Sequence, residues 1–136
     1  MSTLPPLSNE LASAFPAIDP GIEPCGSRVL VQLRSPKRKV GSIILTDDGR
    51  ETEKWNTQVG RIVGKGPLAF KNRNTLDEWK EGAWAQAGDF IRFPKYVGDR
   101  WEVKGPDGED QMFVLINDLD ILGRVTGDVL SVKAFV

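Results

Sequence analysis

Histidine is absent from this sequence, and cysteine occurs once, at Cys25. Without an imidazole there is no His-based metal site and no Ser-His or Cys-His nucleophile pair, and the commonest general base is missing. A lone thiol forms no intrachain disulfide and gives no sign of an oxidising compartment, so Cys25 reads as buried or idle. Net charge is nearly absent as well: 18 Lys and Arg oppose 19 Asp and Glu, for a formal −1. That balance offers no global attraction for nucleic acid or an anionic membrane, so any basic site must be local. Long apolar runs are also missing. The first 24 residues carry Pro5, Pro6, Pro16, Pro20 and Pro24, with no early Lys or Arg. They read neither as a signal peptide nor as a membrane span, and a cytoplasmic protein is the expectation.

What is present fits one modest domain: 136 residues, 40% hydrophobic and 27% charged. The prolines forbid a long helix before residue 24, leaving an arm that is extended or partly disordered, with Leu11, Ala12, Ala14, Phe15 and Ile18 as anchors. Residues 27–34 alternate as a strand, Val29, Val31 and Leu33 on the core face and Arg28, Leu30, Gln32 and Arg34 on the other. Further strands are expected at 58–63, 90–93, 101–104 and 111–116. The last two flank Gly105-Pro106-Asp107-Gly108, a hairpin connection. A terminal pair of strands, 119–125 and 128–136, is expected around Thr126-Gly127. Short strands joined by Gly and Pro turns point to an all-β fold, a small antiparallel barrel. Thr75 and Glu78 have capping-box spacing, which predicts a helical turn inside the excursion 66–88.

The periodicity stops between residue 35 and about residue 57, and compact domains rarely keep so long a loop unless it is functional or disordered. Within it lies Gly41-Ser42-Ile43-Ile44-Leu45-Thr46, three large aliphatics in polar surroundings. Pattern alone leaves two readings open: a short strand or plug folding back on its own barrel, or a segment that orders when its aliphatics enter a partner's groove.

Several motifs in order then resemble a known family: Arg28 to Val31, the Gly41 to Thr46 island, Gly60-Arg61-Ile62-Val63-Gly64-Lys65-Gly66, Gly88 to Phe93, Lys95-Tyr96-Val97-Gly98, and Asn117 to Leu122. Together they are similar to the GroES-like co-chaperonins over about residues 25–125. The resemblance implies a GroES-like β-barrel with a mobile loop at about 35–57 and a roof excursion at about 66–88. It implies a homo-heptameric dome whose loops bind a GroEL-like chaperonin ring and enclose unfolded client proteins. Ile43, Ile44 and Leu45 match the contacting tripeptide, flanked by Gly41, Ser42 and Thr46. ATP belongs to the partner ring, so no cofactor, metal or catalytic residue is assigned here.

Three stretches depart from that pattern: the arm 1–24, the longer excursion carrying Trp79 and Trp84, and a tail 126–136 expected as an added strand through Val129, Leu130, Val132 and Phe135. The two tryptophans are expected to pack beneath the excursion. Such additions suit a virus-encoded member, acting in the host cytoplasm. The rival reading is a small barrel binding single-stranded nucleic acid through Lys37-Arg38-Lys39, or binding peptide in its own groove. Glu51 and Glu53 nearby, and the neutral total charge, argue against nucleic acid. Asp47 and Asp48, or Glu109 and Asp110, are the available cation ligands, but adjacent acids in turns are ordinarily surface chemistry, and no enzyme is expected.

Overall fold

The computed structural model describes residues 15–33, 39–40, 43–44, 59–94, 96–105, 108 and 110–127. Six strands form the main sheet: β1 (Arg28–Leu33), β4 (Val59–Lys65), β5 (Phe90–Arg92), β6 (Asp99–Lys104), β7 (Asp110–Asn117) and β8 (Gly123–Arg124). Two shorter strands, β2 (Lys39–Val40) and β3 (Ile43–Ile44), pair with each other in a separate sheet. The main sheet runs β6-β7-β1-β4-β5-β8, and every pairing in it is antiparallel. β6 and β7 form the hairpin expected around residues 105–108, with Gly108 N donating to Gly105 O at 3.0 Å.

The barrel expected from the sequence is not formed, because the sheet is open, with β6 and β8 at its edges. Among the described residues β8 contributes two residues and pairs with β5 alone, too little ladder to seal a seam. Side chains fill the interior instead. Val31, Ile62, Ile91 and Val114 from the strands, with Phe93 just past β5, meet Ala69, Phe70 and Ala85 from the excursion in one cluster. From the edge strand β6, Arg100 lays its guanidinium 6.0 Å from the centroid of the Phe93 ring. Burial lowers its pKa from the ordinary arginine value, by desolvation.

The excursion holds no helical turn at Thr75. Asn72 N donates to Asp77 O, Leu76 N donates to Asn72 O, and Lys71 bridges Glu78 in antiparallel fashion, which makes a short hairpin. Asn72 Oδ1 accepts from the N–H groups of Asn74 and Thr75, an Asx turn that starts the reversal. Leu76 turns the tip with φ at 65°. Behind it Trp79 and Trp84 pack ring to ring at 4.7 Å, and Phe70 meets Trp79 edge-on at 5.5 Å. Both indoles lie against the core cluster.

The other face of the sheet is covered too. In β1 every residue after Arg28 is buried, Leu30 and Gln32 as well as the core positions. What covers it is the end of the N-terminal arm: Phe15 packs edge-on against Phe90 at 5.1 Å, Gln32 Nε2 donates to Pro16 O at 2.7 Å, and Trp101 Nε1 donates to Pro20 O at 2.9 Å. Cys25 is exposed rather than buried. At the far end, 119–125 is mostly not strand: Asp118–Asp120 forms a 3-10 turn and only Gly123–Arg124 is strand, paired with β5. Residues 128–136, expected as the partner strand, lie outside the described residues, as do residues 1–14.

Candidate functional site

The loop bearing the apolar island is rooted in the middle of the sheet. Leu33 ends β1 and lies opposite Gly60 in β4, so segment 34–58 leaves from and returns to one place. Leu33 and Val59 are both buried there. A Cβ on Gly60 would overlap Val31 Cγ1 and come within 2.7 Å of the Gln32 carbonyl oxygen. The two roots therefore sit at a spacing that only glycine permits.

Inside the loop β2 and β3 pair antiparallel, Lys39 with Ile44 and Val40 with Ile43. That register leaves Gly41 and Ser42 between the strands, the spacing of the shortest hairpins. Ile43 and Ile44 thus belong to a strand, but one that pairs within its own loop and adds nothing to the six-stranded sheet. Gly41, Ser42, Leu45 and Thr46 lie outside the described residues, as do Lys37, Arg38, Asp47, Asp48, Glu51, Glu53 and Glu109. Lys39 opens β2, which puts one residue of the basic cluster in the same hairpin as the island. Asp110 opens β7 opposite Lys104. Among the described residues no group of three or more His, Cys, Asp or Glu is placed to hold a metal ion.

A sheet with this strand order, whose first two long strands are joined by a loop with its own hairpin, can now be compared with known proteins. The sequence pattern of the family described as "Chaperonin 10 Kd subunit" matches residues 21–125. The chain belongs to that family. As a chaperonin 10 Kd subunit it is a GroES-type co-chaperonin, a non-catalytic protein that caps a GroEL-like chaperonin. The co-chaperonin GroES of Coprothermobacter proteolyticus is 32% identical over 105 residues, covering 76% of this chain and 94% of that protein. That of Parageobacillus thermoglucosidasius is 31% identical over 106 residues, covering 76% and 98%. That of Desulfatibacillum aliphaticivorans is 29% identical over 105 residues, covering 76% and 97%.

The match takes in β1 through β8 and leaves out Phe15, Pro16 and Pro20, the three arm residues that hold the outer face. Sequence reasoning also missed how this chaperonin 10 Kd subunit fastens its excursion. Asp118, 4% exposed, accepts from Phe70 N at 2.9 Å through Oδ2, while its own N–H donates to Ser27 O. One residue therefore ties the excursion, through its carboxylate, and the start of β1, through its backbone N–H, to the end of β7. The Asn117 to Leu122 motif contained the residue, but nothing in its spacing announced a buried acceptor.

Proposed function

We propose that this co-chaperonin grips its ring through Ile43, Ile44 and Leu45, with Gly41, Ser42 and Thr46 as the flanks that let them reach. The observation that carries the reading is the pairing of Ile43–Ile44 with Lys39–Val40 in a hairpin separate from the main sheet, on a loop rooted at one buried point. A hairpin presented this way can enter a groove without disturbing the core. Burying three aliphatic side chains yields about 5 to 9 kcal/mol gross, at roughly 1.5 to 3 each. Ordering the backbone costs about 1 to 2 kcal/mol per residue, and a pre-paired hairpin has met part of that cost already. The surplus per loop is small. Useful affinity then requires several loops on one body, which supports a homo-heptameric lid over a chamber holding unfolded client protein, with ATP on the ring and the whole assembly in the cytoplasm.

The test is capture by a GroEL-like ring with ATP, followed by native mass spectrometry of the protein alone and mixed. Ile43→Ser and Ile44→Ser are each expected to abolish the complex while leaving the circular dichroism and the mass of the free assembly unchanged. Undiminished capture by both variants sinks the assignment.

A further inference from the structure

The outer face of the sheet carries a row of side chains that crosses five strands. Phe90 lies opposite Arg61, Arg61 opposite Gln32, Gln32 opposite Phe113, and Phe113 opposite Trp101. Directly paired residues share a face, so these five side chains line up at right angles to the strands. The row is packed as a unit: the Arg61 guanidinium sits 5.9 Å from the Phe90 centroid, and Trp101 stacks on Phe113 at 5.9 Å. Gln32 is 3% exposed and Arg61 6%.

The arm follows this row. Its first described residue, Phe15, meets Phe90 at one end; Pro16 O takes the Gln32 amide in the middle; Pro20 O takes the Trp101 indole at the other end. Four strand spacings span about 19 Å, at roughly 4.8 Å each. The five steps from Phe15 to Pro20 reach at most about 18 Å when fully extended, so the segment must run nearly straight, with side chains making up the difference. Both donors address a proline carbonyl, and the Phe90 ring meets the leading ring edge-on. This is the physics by which aromatic grooves bind proline-bearing extended segments, whose stiffness leaves little entropy to lose. The fit is also incomplete: Gln111 lies on the same face at 2% exposure, and its Oε1 has no hydrogen-bond partner among the described residues.

We propose that this row is a recognition groove for an extended segment in which an aromatic residue leads two spaced prolines, and that residues 15–20 are its tethered ligand. A segment of the same chemistry on another chain occupies the groove when the arm is displaced. Gly21, directly after the last contact, has φ at 78° and no described residue within 4 Å of where a Cβ would stand, which gives the arm an open hinge. None of these contacts involves Ile43 or Ile44, so the proposal stands or falls independently of the capping site.

The test uses the full chain and the Trp101 indole N–H as an NMR reporter, assigned with Trp101→Phe. In Phe15→Ala the Trp101 signal is expected to move toward that of a water-bonded indole while the Trp79 and Trp84 signals stay in place. A synthetic peptide of residues 13–22 added to that variant should return the signal saturably, and the same peptide with Phe15→Ala should not. Adding Gln32→Leu to the variant should weaken the peptide roughly fivefold, the worth of one hydrogen bond. A Trp101 signal indifferent to Phe15→Ala, or one the peptide does not return, overturns the proposal. If Phe15→Ala also collapses the Trp79 and Trp84 signals, wild-type protein is titrated instead with the peptide carrying a spin label. Because a tether supplies millimolar effective concentration, several millimolar peptide is required. Broadening of Trp101 but not Trp84 then supports the groove, and no broadening overturns it.

Discussion

Gly60 shows how one residue without a side chain fixes the geometry on which the loop depends. Its virtual Cβ overlaps Val31 and crowds the Gln32 carbonyl oxygen, and backbone does not yield as a flexible side-chain tip would. Gly60→Ala is therefore expected to cost about 1 to 3 kcal/mol, as overpacking of a dense core does. The control is Gly127→Ala, where no described residue stands within 4 Å, expected to change stability by less than about 0.5 kcal/mol. Urea midpoints at matched protein concentration with unchanged slope check both, since assembly makes stability depend on concentration. Asp118 is the second residue to probe. Asp118→Ala strands the buried Phe70 N–H, a loss of about 1 to 3 kcal/mol, whereas Asp118→Asn keeps an acceptor oxygen and should cost less. Equal losses for the two variants would show that the hydrogen bond to Phe70 is not what Asp118 supplies.

At the scale of elements, β1, β4, β5, β6 and β7 were legible because each has an alternating or apolar pattern bounded by Gly or Pro, and local pattern is what sequence carries best. The second buried face of β1 was not. Alternation says that one face is core, but Leu30 and Gln32 are covered by an arm whose last bond, from Trp101 to Pro20, joins residues far apart in sequence. The helical turn at Thr75 failed for a local reason, since Asn72 N–H bonds Asp77 O and Lys71 bridges Glu78, so the chain reverses as a hairpin instead of coiling on. The island at Ile43 was visible as an anomaly, and its pairing with Lys39–Val40 turns that anomaly into an element with a measurable property. A two-residue connection favours Asn-Gly, which adopts the required turn at low cost. Replacing Gly41 and Ser42 together by that dipeptide should stabilise the hairpin and tighten ring capture severalfold by lowering the ordering cost. Weaker capture, with the two-stranded pairing retained by NMR, would mean that the free loop must stay adaptable.

For the whole molecule, the open sheet changes how the subunit is held together. A closed barrel needs no strap, whereas here the edges β6 and β8 are unsealed. The arm ties β6 to β5 across the outer face through Trp101 and Phe90, while the excursion fills the inner one. Such a body can carry its loop rigidly, and rigidity matters because avidity is lost when linked sites cannot engage together. If each loop contributes only a small surplus, capture must depend steeply on how many loops in an assembly are intact. Assemblies formed by co-refolding wild-type chain with Ile43→Ser chain at graded ratios provide the measurement, with native mass spectrometry giving the subunit distribution and ATP-dependent ring capture giving the response. Capture should fall much faster than the wild-type fraction, with little left when half the subunits carry the substitution. A fall in simple proportion to that fraction would mean that single loops bind on their own, and the energetic case for a multi-subunit lid would go with it.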